Sequence, residues 1–250
     1  MQEQTYCLQW DGHKVTDHTD DIAENVINRF KAVQKKKVTG EYRAPTVHVS
    51  HLVGECMRKP WYDFNEEKPP LDYSSICNFF AGTILHENAP LSKRNEVPLG
   101  ANIRTMKPIK SEDVNDTNLF DCVTGTVDDI IEFEGDIIIT DKKTCKAVKK
   151  EPDESYITQI NIYKLLLWIN EGIEADYGSI IYLNKVTSFK DPQCFVFKLK
   201  SLDAIEKDII QKLDQLKCKD PPERVTSWKC NWCEFAKICD PPINLRSKNW

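Results

Sequence analysis

Asp141-Lys142-Lys143 follows the apolar run Ile137-Ile138-Ile139, and strand periodicity places Asp141 and Lys143 on one face, two residues apart. There the carboxylate can hold a divalent metal while the ammonium beside it orients a water. The preceding β-rich run supplies Gly125-Thr126-Val127-Asp128, whose aspartate can reach the same point. Two carboxylates converging on one hard cation are the usual way to hold magnesium or manganese against a phosphate. An Asp-x-Lys on its own is far more often a pair of surface charges at a strand end. Two helical pairs add to it. Gly82-x-x-x-His86 sets an imidazole one turn from a bare backbone patch, and Gln159-x-x-x-Tyr163 sets two polar tips one turn apart on an apolar helix. Each pair has a bland reading too, as a satisfied core histidine and as ordinary surface polarity.

The ten cysteines are the second chemical signal. The N-terminus lacks the charged-then-apolar pattern of an export signal, so reduced thiols are expected rather than a disulfide framework. Cys7, Cys77, Cys122, Cys145 and Cys194 are scattered singly and read as small buried hydrophobes. Cys230-x-x-Cys233 followed by Cys239 is different, because thiols this dense usually bind a metal or an iron–sulfur cluster. The fourth thiolate is open: Cys218, twelve residues before Cys230, would complete a local zinc site, and Cys56 would complete a site spanning most of the chain.

Apolar periodicity predicts the elements that must position these residues. A helix over 19–37 carries Ile22, Val26, Ile27, Phe30 and Val33, and a break follows at 39–45. Ser50 can cap a short helix running toward Pro60, and a further helix covers 74–88. Strands over 121–133 and 136–140 flank the turn Glu134-Gly135. A strong helix over 155–170 stops at Gly172, strands follow at 177–183 and 194–199, and a last helix from Ser201 carries Leu202, Ile205, Ile209, Leu213 and Leu216 on one face. This order predicts an α/β core with a mixed central sheet flanked by helices, preceded by a helical region and closed by the cysteine segment.

With 250 residues and 40% hydrophobic content the chain can bury a sizeable core, which excludes disorder. The net charge of −5 and pI near 5.6 exclude a globally basic DNA-coating protein, leaving local patches for any nucleic-acid contact. Lys35–Lys37, Lys142, Lys146, Lys149 and Lys150 are candidate phosphate contacts, although a lysine run is usually a solvated face. Trp61, Trp228 and Trp232 could stack bases, but their nearness to the cysteines suits packing better. The apolar runs are too short to span a bilayer, so a soluble, cytoplasmic protein is expected.

Taken in order, Cys56 with Arg58 and Tyr62, Gly82-x-x-x-His86, Gly125-x-x-Asp128, Asp141-x-Lys143, Gln159-x-x-x-Tyr163 and the final cysteines resemble one known family. The chain is similar, over residues 48–240, to the RecB-like exonuclease branch of the PD-(D/E)XK nucleases, and specifically to the CRISPR-associated "Cas-four" exonucleases. No one motif is specific; their order is.

The resemblance implies a restriction-endonuclease-like core over 48–240, with an N-terminal helical extension over 1–47 and a tail over 241–250. It implies His86, Asp128, Asp141 and the main-chain carbonyl of Lys142 as ligands of a Mg or Mn ion, and Lys143 as the residue that positions or deprotonates the attacking water. Gln159 and Tyr163 would steady the site and the DNA backbone, and Cys56, Cys230, Cys233 and Cys239 would hold a [4Fe-4S] cluster. The implied activity is metal-dependent exonuclease cleavage of single-stranded or frayed DNA ends, trimming prespacer DNA alongside CRISPR integrase proteins. The alternatives are a stand-alone or viral recombination nuclease and a non-catalytic iron–sulfur DNA-binding scaffold. No membrane partner is expected, and a homo-oligomer is left open.

Overall fold

The structure is a computed structural model that describes residues 19–39, 46–67, 73–110, 113–147, 150–187 and 190–239. Its helices are α1 (Thr19–Thr39), α2 (Val49–Leu52), α3 (Arg58–Asn65), α4 (Tyr73–Asn88), α5 (Glu154–Glu171) and α6 (Leu202–Leu216). The strands are β1 (Val47–His48), β2 (Asn95–Asn102), β3 (Lys107–Pro108), β4 (Cys122–Phe133), β5 (Asp136–Cys145), β6 (Tyr177–Asn184) and β7 (Gln193–Lys198). They form one mixed sheet in the order β3-β2-β4-β5-β6-β7, with β1 joining β4 in parallel. This is the predicted α/β architecture, a mixed central sheet flanked by helices. Among the described residues, no helix is long and apolar enough to cross a membrane.

Two connections explain the sheet. β4 and β5 join through Glu134 and Gly135, both at positive φ, which is the two-residue turn whose twist matches a hairpin. β5 and β6 run parallel, so a long crossover must link them, and α5 is that crossover. Asp153 caps α5, its Oδ1 accepting the Ser155 amide at 3.3 Å, and Gly172 ends it in a left-handed conformation. The helix lies between the sheet and α6, so residues 160–167 are buried on every side, as the near-continuous apolar stretch requires. α6 buries Ile205, Ile209, Leu213 and Leu216, the stripe read from its periodicity.

Several expectations need correction. The helix over 19–37 is present as α1 and packs on α4, yet among the described residues Val26, Ile27, Phe30 and Val33 are half or more exposed. Ser50 lies inside α2 and caps nothing; the α2 N-cap is His48, and a break at 53–57 separates α2 from α3. β2 and β3 were not expected: Asn95-Glu96-Val97-Pro98-Leu99 has no clean alternation, and pairing with β4 decides its conformation. β5 runs five residues beyond the expected end at 140, because β6 supports it through Cys145. Among the scattered thiols Cys122 is buried, whereas Cys194 is exposed and Cys77 and Cys145 are half-buried; Cys7 lies outside the described residues.

Candidate active site

The β4–β5 ladder runs from the turn to the rung Asp129–Thr140 and stops. Beyond that rung β4 continues against β2 and β1, while β5 continues against β6, so the strands fork. Asp128 and Asp141 are the first residues past the last rung. The Lys142 amide would otherwise lack a partner across the fork; it donates to Asp128 Oδ2 at 2.7 Å. Both carboxylates are buried, so Asp141 is not the strand-end surface charge that its tripeptide alone suggests.

Lys143, two residues along the same strand, places its ammonium against both oxygens of Asp141, 3.0 Å from Oδ1 and 2.8 Å from Oδ2. Burial alone would lower the Lys143 pKa, but Asp141 and Asp128 outweigh it and hold the ammonium above the ordinary lysine range. The amine also lies over the Tyr156 ring, 4.9 Å from its centroid.

The first half of α5 walls the site. Tyr156, Gln159 and Tyr163 fall at i, i+3 and i+7 on one face, and Gln159 Nε2 donates to Tyr163 Oη at 3.0 Å. Burial pushes the Tyr163 hydroxyl well above its usual range; the Gln159 hydrogen bond opposes this, while Asp141, Asp128 and Glu96 add to it. Tyr156 is also raised by burial, against the pull of Lys143. Gly125 has a packing reason: a Cβ there would stand 2.7 Å from Tyr163 Cε1 and 2.8 Å from Val49 Cγ2. At Gly82, by contrast, an added Cβ meets nothing within 4 Å among the described residues, so no close approach requires that glycine.

Sequence reasoning passed over Tyr156 and Glu96. Glu96 sits in β2 between the rungs Asn95–Asp129 and Val97–Val127, beside Asp128, with φ at +48. A left-handed non-glycine residue in a strand is strained, and it turns this exposed carboxylate to where it acts on Tyr163. Its signal in the sequence was slight, an acidic residue before a short apolar run. His86 lies in the last turn of α4, but its side chain is outside the described residues.

Two buried carboxylates with a main-chain carbonyl between strands are hard oxygen donors of the kind that Mg or Mn takes. Among the described residues, no group of three or more His, Cys, Asp or Glu side chains is arranged to hold an ion. The described side chains therefore contribute a pair of carboxylates. Lys142 is 2% exposed, so its ammonium is no phosphate contact; Lys146 and Lys150 are exposed, and Lys149 is outside the described residues.

The C-terminal cysteines fold back on α3. Arg58 donates through Nε to the Pro222 carbonyl at 2.7 Å and through Nη1 to Cys239 Sγ at 3.8 Å. Lys59 pairs with Glu234 at 2.7 Å, and the Tyr62 ring packs on Phe235 at 5.4 Å. Burial raises the Cys233 thiol, the Phe235 amide and Lys59 oppose this, and Cys56 and Cys230 lie near enough to raise it further. Cys56 and Cys230 thus lie near Cys233, and Cys239 lies against Arg58, but among the described residues these thiols form no group arranged to hold a metal. Cys218 instead turns its Sγ to the Asp214 carbonyl at 3.4 Å, and its own carbonyl accepts from Trp61 Nε1 at 2.9 Å. Trp61 is therefore packed in the core, whereas Trp232 is 82% exposed. The Trp228 side chain lies outside the described residues.

The sequence profile of the PD-(D/E)XK nuclease superfamily matches residues 31–240. The crystal structure of SSO0001 is similar with a TM-score of 0.58 and 20% identity, over 88% of this chain and 99% of that one, a likeness of fold. No curated protein matches the chain.

Proposed function

The chain belongs to the PD-(D/E)XK nuclease superfamily, and from that premise we propose that it is a Mg- or Mn-dependent exonuclease acting on single-stranded or frayed DNA ends. The observation that carries the reading is the buried pair Asp128 and Asp141 where β4 and β5 part, with the half-buried Lys143 ammonium against Asp141. The order of the sequence motifs supports the narrower role of trimming prespacer DNA beside CRISPR integrase proteins.

In this reading Asp128, Asp141, His86 and the Lys142 carbonyl hold the ion. What such an ion supplies is positive charge at the phosphate and a more acidic water near neutral pH. The chain's own residues do the rest. Lys143, protonated beside Asp141, donates hydrogen bonds to the attacking water and a phosphate oxygen; with its pKa held up it orients them rather than taking a proton. Tyr163 stays a neutral hydroxyl, able to donate to a backbone phosphate while it accepts from Gln159. Tyr156 steadies the Lys143 ammonium from above.

Cys56, Cys230, Cys233 and Cys239 hold a [4Fe-4S] cluster in the same reading. Its place beside α3, far in sequence from Asp141, suits a staple that closes the C-terminal segment onto the nuclease core. Exposed Lys146 and Lys150 lie just beyond the strand that carries Asp141, which suits contact with a DNA backbone.

The test pairs two measurements on wild type, Asp141→Ala and Lys143→Ala: cleavage of end-labelled single-stranded DNA with manganese, and binding of that strand without metal. Asp141→Ala should abolish cleavage with binding only modestly weaker, since dispersed phosphate contacts dominate affinity. Lys143→Ala should cripple cleavage yet keep manganese affinity, because an ammonium is no ligand. Undiminished cleavage by Asp141→Ala would sink the assignment. A wild type that binds DNA but never cuts it would favour a scaffold.

A further inference from the structure

On the face of β5 opposite Asp141 and Lys143, Lys142 and Asp129 form an ion pair that no step above uses. Lys142 is 2% exposed and Asp129 0%, with Nζ 2.9 Å from Oδ2. Both side chains reach the segment 89–92 that links α4 to β2. Lys142 Nζ donates to the Ala89 carbonyl at 2.9 Å, and Asp129 Oδ1 accepts the Leu91 and Ser92 amides at 2.7 and 3.0 Å.

We propose that this pair is a positioning latch, fixing the end of α4, and His86 within it, against the strands that carry Asp128 and Asp141. The inference rests on the reading of those three residues as the ones that hold the ion. Its geometry is that of neighbours along the chain. Asp129 follows Asp128, Lys142 follows Asp141, and Ala89 lies three residues past His86, so the latch joins the backbone stretches that must converge at the site. The Lys142 amide completes the join on Asp128 Oδ2. A buried ion pair is a poor way to gain stability, because desolvation offsets most of the attraction and apolar replacements are often neutral or better. What charge adds here is direction. One carboxylate oxygen grips two amides, one ammonium grips a carbonyl, and the segment is held from both ends of its polar backbone.

The test uses the full chain and reads manganese affinity by electron paramagnetic resonance, apart from any cleavage. Asp129→Asn with Lys142→Met removes both charges at near-constant volume, and Asp129→Asn with Lys142→Leu is a second neutral version read in the same way. Each is made in the wild type and in a His86→Gln background, with urea midpoints measured alongside. Each double variant should keep its midpoint and lose about tenfold in manganese affinity, the size expected when an outer partner of a ligand is removed. In the His86→Gln background the same change should cost nothing more, since the ligand through which the latch acts is already gone. Unchanged affinity in the wild-type background overturns the latch, and so does an equal loss in both backgrounds, which is what a merely structural role would give. A wild type that binds no manganese overturns the reading of the site itself and the latch with it, and it is recognised before any variant is compared.

Discussion

Gly125→Ala adds one methyl group where β4 passes under α5 and α2. The new carbon would stand 2.7 Å from Tyr163 Cε1 and 2.8 Å from Val49 Cγ2, about 1 Å inside the optimum of ~3.5–4.0 Å between carbons. Neither neighbour is the loose end of a flexible side chain: Tyr163 is buried on α5 and Val49 on α2. The backbone at Gly125 is not left-handed, so an alanine there is unstrained and the whole effect is steric. Overpacking a well-filled site costs roughly 1–3 kcal/mol, and two simultaneous contacts put this change near the upper end, about 3 kcal/mol. At about 2–4 °C per kcal/mol for a chain of this size, the Tm should fall by roughly 6–12 °C. The assay is urea unfolding with unchanged slope, backed by a thermal melt. Val49→Ala in the same chain should recover part of the loss, because it removes the 2.8 Å contact and lets α2 absorb the methyl. A Gly125→Ala midpoint within about 0.5 kcal/mol of wild type, the usual range for an inert surface change, would refute the packing argument.

Lys143 gives an alkaline signature. Burial lowers its pKa but Asp141 and Asp128 raise it further, so the stability it adds is full below its unfolded pKa of about 10.4 and is lost as pH rises through the higher folded value. Metal-free wild type should therefore lose stability above about pH 10 more steeply than Lys143→Met, as read from urea midpoints across that range; parallel profiles would contradict it. For the cysteines, anaerobic protein should carry about four irons per chain with absorbance near ~400 nm. Cys56→Ala should lose the iron and Cys218→Ala should keep it, whereas stoichiometric zinc without iron would discard the cluster.

Much of this protein was legible before folding because local signals agreed with the final environment. The Glu134-Gly135 turn, the capped and Gly172-terminated α5, and the stripe Ile205, Ile209, Leu213, Leu216 on α6 each follow from periodicity and backbone preference, which act over a few residues. The sequence by itself also determined that Asp141 and Lys143 share a face, since alternation along a strand leaves no choice. Three things were decided only by tertiary structure. The strand at β2 exists because β4 offers a ladder to Asn95–Asn102, a long-range pairing that its own residues do not announce. Among the described residues much of the apolar face of α1 stays exposed, because α1 packs on α4, and no periodicity encodes which element a helix will meet. The fork beyond Asp129–Thr140 sets the buried Asp128 and Asp141 just past the last rung and turns Lys142, an apparent DNA contact, into the partner of Asp129. A charged side chain in water and one buried beside its counter-charge look the same in a sequence; burial and a partner from another strand, both products of the whole fold, set them apart.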